Sequence, residues 1–217
     1  MNKKYMYGWW LPKEDEHFEH YFSQSIEVGK KRLYQPTHLD RCFYHIKNRK
    51  NTAIDIGGHC GFWSFYLGIN FKKVYAFEPV NIFQECFKKN IPHKNVELIP
   101  IALGNDNKFI SMNIEMKNSG ATHISNEVDE NNKMELKKLD DYEFTNIDFI
   151  KIDVEGFENQ VVLGAKETLI RNKPIIIVEQ KGFSNKYDEK QFEAIDTLKS
   201  YGAKVIDQVV KDYILSW

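Results

Sequence analysis

Three short strings hold the residue types that could do chemistry. The first, Asp55-Ile-Gly-Gly-His-Cys-Gly61, places an acid ahead of three glycines. Gly57, Gly58 and Gly61 permit a tight turn through which backbone can approach a ligand. A helix after such a turn adds unpaired N–H groups and positive potential, suited to a carboxylate or phosphate. Asp55, at a strand end, could orient a ligand ammonium directly or through water. His59 sits inside the turn, with its side chain free to face ligand or solvent. The second string is Ala76-Phe-Glu-Pro79. Glu78 ends a strand about twenty residues on, a placement from which a carboxylate can accept both ribose hydroxyl protons. Pro79 closes that turn. Ala102 and Leu103, after a third strand, lie where an adenine ring could be sandwiched. Taken singly, Asp55 reads as a helix cap and Glu78 as a surface acid. Jointly they describe a site for an adenosine-type nucleoside. The D-x-G-x-x-x-G spacing and Pro79 lean away from a nicotinamide dinucleotide.

The third string is Lys151-Ile-Asp-Val-Glu-Gly156. Lys151 and Asp153 are two apart on a strand, so they share a face. Ligands of open α/β sheets bind beyond the carboxyl ends of the strands, which puts Asp153 and Glu155 at the mouth of the site. Asp153 is the candidate general base or hydroxyl orienter. Lys151 pairs with it or with a substrate oxygen. Glu155 holds the loop or a substrate hydroxyl, and Gly156 lets the turn close. The plainer reading is a structural Lys151–Asp153 pair with Glu155 as a helix cap. Glu179, ending a later strand, could complete an acidic cluster, and Asp153 with Glu179 offers the oxygen ligands that Mg²⁺ favours. A divalent metal is thus compatible with the sequence but not assigned by it. His123 follows the Asn118-Ser119-Gly120 turn and is a further catalytic candidate, although a lone histidine is more often polar surface.

These strings need a scaffold, and the pattern supplies one. Thr52–Ile56, Lys73–Phe77, Val96–Ile101, Asp148–Ile152 and Pro174–Val178 are short apolar runs. Helical stretches follow at Gly61–Leu67, Asn81–Lys89, Glu158–Ile170 and Glu189–Ser200. Val205-Ile206 and Tyr213–Trp217 supply two closing strands. Apolar strands alternating with helices imply an α/β fold with a parallel sheet covered on both faces. One domain spans 1–217: a helical lead-in over 1–50 and a core over 51–217. Within the lead-in, helices are expected over Glu14–Glu27 and Pro36–Lys47. An insertion at about 105–140 breaks the rhythm. Ile110, Met112, Ile114 and Met116 alternate there with polar residues, as a strand with one wet face does. The charged run Glu127–Lys138 reads as a solvated hairpin or loop, or as a specificity element on the active face. Trp9, Trp10 and Trp217 could stack on a sugar, but packing against the sheet is the simpler expectation.

Bulk composition narrows the partners. Thirty basic residues face 31 acidic ones in 217. That balance offers no long-range attraction for duplex nucleic acid. Cys42, Cys60 and Cys86 form no CxxC pair, so neither a zinc knuckle nor a thioredoxin-type site is expected. Sparse, odd cysteines and the absence of a long apolar run point to a cytoplasmic protein without a membrane span.

The same strings carry a family resemblance. Asp55–Gly61, Ala76–Pro79, Pro100-Ile-Ala-Leu-Gly104, Ile150–Glu158, Leu163-Gly-Ala165 and Ile175–Glu179 resemble, in order, the FkbM-family methyltransferases over roughly residues 50 to 180. The Lys-x-Asp-x-Glu-Gly string is the most specific part. The resemblance implies a class I methyltransferase fold, Rossmann-like, with a mostly parallel seven-stranded sheet and an antiparallel last strand. It implies S-adenosylmethionine as donor and commonly O-methylation of a sugar hydroxyl. The Gly58-His59-Cys60 centre departs from the small or amide residues of many members. The Gly8-Trp9-Trp10-Leu11-Pro12 opening resembles short members from phage and environmental genomes, and so a viral protein made in a host cytoplasm. The competing expectations are a non-catalytic nucleoside-binding partner subunit, a nicotinamide dehydrogenase, or a methyltransferase acting on a protein, nucleic-acid or other small-molecule acceptor.

Overall fold

The computed structural model describes residues 2–217. Its centre is a seven-stranded sheet. In chain order the strands are β1 (Thr52–Ile56), β2 (Lys73–Phe77), β3 (Val96–Ile99), β4 (Ile147–Ile152), β5 (Ile175–Glu179), β6 (Lys204–Val209) and β7 (Asp212–Ser216). Their spatial order is β6-β7-β5-β4-β1-β2-β3. All pairs among β1 to β5 are parallel, and β7 runs antiparallel to both β5 and β6. The expected sheet is therefore present, antiparallel last strand included. Every residue of β1, β4 and β5 is buried. Burial on both faces is what makes these strands read as unbroken apolar runs.

Seven helices flank the sheet: α1 (His17–Gln24), α2 (Pro36–Ile46), α3 (Phe62–Asn70), α4 (Asn81–Asn90), α5 (Glu158–Leu163), α6 (Lys166–Asn172) and α7 (Glu193–Ser200). On one face Ile54, Ile56, Ile150 and Ile152 pack against Val161, Leu169 and Leu198 of α5 to α7. On the other, Ala53, Phe149 and Ile177 meet Leu39, Trp63 and Leu67 of α2 and α3. Strand alternation then sends Asp55, Lys151, Asp153 and Glu179 towards the α2–α3 side. No helix among the described residues is long and apolar enough to cross a membrane.

Three local expectations differ from the structure. The lead-in is not wholly helical: Lys3–Met6 and Trp9–Pro12 pair as a hairpin, and Glu27–Val28 pairs with Lys31–Arg32. Tyr7 and Gly8 both adopt positive φ in the first hairpin's two-residue turn, a geometry that suits the right-handed twist of paired strands. Asn90 pins this hairpin to the glycine turn, its amide donating to the carbonyls of Trp10 and Cys60. The helix expected over Glu158–Ile170 is two helices. Gly164 lies so close to Gly104 that a Cβ would fall 1.8 Å from the Gly104 carbonyl oxygen. Asp140 restarts the helix by accepting the N–H groups of Glu167 and Thr168. The alternating strand from Ile110 breaks at Ser111, whose hydroxyl accepts the Asp129 N–H and bonds the Asn132 carbonyl. Lys108–Ile110 instead joins Met134–Lys137, which also pairs with Ala102–Leu103. The insertion thereby becomes a small sheet at the carboxyl end of the strands.

Gly164→Ala should destabilise the fold by about 1–3 kcal/mol, the usual cost of overpacking. Thermal unfolding would show a drop of roughly 3 °C per kcal/mol. An unchanged melting temperature would mean that the α5–α6 junction is not close-packed against Gly104.

Candidate active site

The glycine turn forms where β1 gives way to α3. Gly57 has φ of 79°, and a Cβ there would sit 1.9 Å from the Asp153 carbonyl oxygen. Only glycine lets the turn lie directly against the end of β4. Gly61, with φ of 88°, precedes α3, and a Cβ there would press on Ile91 and Phe87.

A cavity of about 230 Å³ opens at this turn. It is lined by Asp55, Gly57, Gly58 and His59 at the end of β1, by Glu78, Pro79 and Phe83 after β2, by Ile101, Ala102 and Leu103 after β3, by Asp153 and Glu155 after β4, and by Lys181 and Phe183 after β5. Nearly all the sequence candidates thus converge on one chamber. Three do not line it. Gly61 acts through packing. Glu179 lies just behind Asp153 and Glu155, with all three carboxylates within 4.8 Å of one another. His123 is a correction: adjacent strand residues face opposite ways, so Ile124 lines the cavity while His123 turns aside, its Nδ1 2.9 Å from the Ala121 carbonyl.

Glu78 is anchored by backbone. One carboxylate oxygen accepts the His59 N–H at 2.9 Å and the other the Val80 N–H at 2.8 Å. A carboxylate offers about four acceptor sites, so each oxygen keeps capacity for a ribose hydroxyl. Burial pushes its pKa up to about 7 against the pull of those two N–H groups. A second pair of donors from a ligand would therefore stabilise its charge.

The register of β1 and β4 sets Lys151 directly beside Asp55. The Lys151 ammonium lies 3.5 Å from Asp55, 3.4 Å from Asp153 and 3.3 Å from the Gly57 carbonyl. Burial opposes its charge, yet Asp153, Asp55 and Glu179 together hold it above its ordinary range. Asp55 is fully buried. One oxygen accepts the Ser64 hydroxyl at 2.6 Å; the other has no hydrogen bond. That second oxygen faces the Lys151 ammonium 3.5 Å away, so it is ion-paired. Burial raises Asp153, but Lys151 and Lys181 outweigh it and leave its carboxyl below the usual range. Glu155 differs: burial first, then Asp153, pushes it up to about 8. It also holds a positive φ of 56°, a conformation costly for a side-chain-bearing residue and frequent at functional sites. Lys181 is ion-paired with Glu179 and so already supplies a cation at the acidic cluster.

His59 is enclosed by rings, with centroids of Phe83 at 4.2 Å, Phe18 at 5.0 Å and Phe62 at 5.7 Å. Burial drives its pKa down to about 3, so it is neutral. Neither ring nitrogen has a hydrogen-bond partner. Of the tryptophans weighed for stacking, Trp9 is fully buried among Phe22, Phe62 and Phe65, and the Trp217 indole donates to the Tyr201 carbonyl. Trp63 lines the cavity instead.

Sequence reasoning missed the wall opposite the sheet. His17 and Phe18 of α1, and the stretch Asn118–Thr122, complete the chamber. Lys181 was legible in principle, since it follows the acid at the end of β5 by two residues.

Lys151→Met should destabilise the protein by about 3–5 kcal/mol by stranding the buried Asp55 and Asp153 charges. Adding Asp55→Asn should recover part of that loss. Additive penalties in a denaturation cycle would show that Lys151 and Asp55 are not coupled.

Residues 55–205 match the methyltransferase FkbM domain. No curated protein sequence matches the chain. Among solved structures, a methyltransferase FkbM from Methylobacillus flagellatus KT is 14% identical with a TM-score of 0.50, covering 77% of this chain and 43% of that one. The chain therefore spans less than half of that protein's length. Monomeric WbdD is 12% identical with a TM-score of 0.51, covering 87% and 42%. A Streptococcus mutans protein solved in complex with SAH is 11% identical with a TM-score of 0.47, covering 84% and 97%. The first two likenesses concern the fold alone. With the family match over most of its length, the chain belongs to the methyltransferase FkbM domain family.

Proposed function

We propose that this chain transfers the methyl group of S-adenosylmethionine to a hydroxyl of a sugar or glycan. The observation that carries the reading is a single chamber lined by Glu78, after β2, and by Asp153 and Glu155, after β4, on either side of the glycine turn that follows β1. Glu78 holds the ribose. The glycine turn, with Asp55 beneath it, holds the amino-acid end. Ala102 and Leu103 flank the adenine. S-adenosylmethionine supplies an activated methyl group, so much of the remaining work is positioning.

The acceptor hydroxyl must also lose its proton. Asp153, held acidic by Lys151 and Lys181, is a weak base and orients the hydroxyl. Glu155, close to neutrality, is the better proton acceptor, a role the sequence reading gave first to Asp153. As the acceptor oxygen takes the methyl group, sulfur keeps the bonding pair and the proton passes to the Glu155 carboxylate. Carboxylates beside Phe183 and Phe18 suit the hydroxyls and apolar faces of a sugar. The Lys181–Glu179 pair supports a reaction without a divalent ion. The three buried free cysteines fit a reducing cytoplasm.

S-adenosylmethionine and SAH should each raise the melting temperature through linkage, and Glu78→Ala should abolish the rise. Absence of any shift in the wild type would overturn the cofactor assignment. In a methyl-transfer assay over a sugar and nucleotide-sugar panel, the rate should climb with pH through about 8 as Glu155 deprotonates, then level. Glu155→Gln should lose roughly 100-fold or more. EDTA should leave the rate unchanged. A chain that binds SAH but methylates nothing would instead support the non-catalytic partner reading.

A further inference from the structure

The wall that faces the sheet is made of two pieces joined by one carboxylate. Asp15 is fully buried. One of its oxygens accepts the Phe18 N–H at 2.7 Å and so caps α1. The other accepts the Ser119 hydroxyl, and the Ser119 N–H at 3.3 Å. Beside it, the Glu16 N–H donates to the Lys117 carbonyl at 2.9 Å. A Cβ on Gly120 would touch the Phe18 ring at 3.4 Å. These bonds join segments about a hundred residues apart, one of which precedes residue 55, where the family match begins.

The two pieces are unequally anchored. α1 is fixed by Phe22, fully buried against Trp9 and Phe62. The segment Met116–Ala121 is a short 3₁₀ stretch interrupted at Asn118, where φ is −132° and ψ 71°. Such a stretch has few hydrogen bonds of its own, and it is held on α1 by the buried Asp15 carboxylate, by the backbone bond beside it and by an exposed Lys117–Glu16 ion pair at 3.6 Å, a kind of pair worth little. Its residues Asn118 to Ala121 close one side of the cavity, and Phe18 lies between them and His59. The imidazole of His59 is left with two unpartnered nitrogens in the closed arrangement. Buried polar atoms without partners are rare and mark places where a ligand or a movement is expected.

We propose that Asp15 is a positioning residue of the methyl-transfer site: it clasps the Met116–Ala121 turn onto α1, and release of that clasp opens the cavity for the cofactor to enter and its product to leave. The clasp rests on the cofactor reading above for the identity of what is exchanged, but not for its own existence. The hydrogen bond from Ser119 to a buried carboxylate is charge-assisted, and losing one is worth at least about a tenfold factor.

The test uses the full chain with SAH as probe. Tryptophan fluorescence, with Trp63 in the cavity wall, follows SAH release by rapid mixing. Hydrogen exchange follows the amides of residues 116–122. Ser119→Ala should speed SAH release at least about tenfold, with association accelerated alongside, and should raise exchange in that turn while the melting temperature falls by only about 3–9 °C, so the chain stays folded. Asp15→Asn keeps an equally good cap for α1, so the helix persists, and it should show the same two effects. Unchanged release and unchanged exchange in both variants would overturn the clasp. Weaker SAH binding with an unchanged release rate would also overturn it, since a residue that merely shapes the wall gives that result. If the wild type binds no SAH, the cofactor reading falls. Exchange at the turn then decides the clasp by itself, faster exchange in the variants supporting it and unchanged exchange overturning it.

Discussion

The buried ammonium of Lys151 is the interaction on which the rest of the site depends. It lies at the carboxyl end of the sheet, between Asp55 on β1 and Asp153 just after β4, and touches the Gly57 carbonyl. Two carboxylates could not stay ionised in so dry a place without it. Because the pair is set by strand register, the ammonium also fixes how the glycine turn lies against β4. Gly57 then meets the Asp153 backbone so closely that no side chain fits between them. The glycine turn and the Asp153 carboxylate are consequently two sides of one electrostatic knot.

That knot divides labour among acids that look alike in sequence. Asp153, in contact with Lys151 and near Lys181, is held ionised and makes a poor base. Glu155, two residues on, is pushed up by burial and by Asp153 further than Lys181 pulls it down. Glu78, after β2, is secured by two backbone N–H groups. Environments that drive neighbouring carboxyls apart are how one site obtains both an orienter and a base.

Much of this was legible because the functional residues interrupt apolar runs. Asp55 and Lys151 stand out as charges in strands buried on both faces, and Glu78 and Glu179 as acids at strand ends. Strand alternation correctly placed Lys151 and Asp153 together. It also explains the failure at His123, since the candidate was chosen by residue type and its neighbour Ile124 has the inward parity. The N-terminal hairpin was missed because Lys3–Met6 carries no clear alternation, and its burial comes from residues remote in sequence, such as Phe62, Phe65 and Asn90. The wall formed by Phe18 and Ser119 was illegible for the same reason: a contact spanning 104 residues leaves no local period. The fold's local rules write the sheet into the sequence, whereas the cover over the site exists only once the chain has closed on itself.

The central claim is that one chamber holds the nucleoside at Glu78 and presents the reacting sulfur to Asp153 and Glu155. A crystal structure with SAH bound tests it most directly. The account predicts both ribose hydroxyls on the Glu78 carboxylate, the homocysteine amine near Asp55, and the sulfur turned towards Glu155. A nucleoside bound away from Glu78, or a sulfur facing away from the Asp153–Glu155 end, would contradict it.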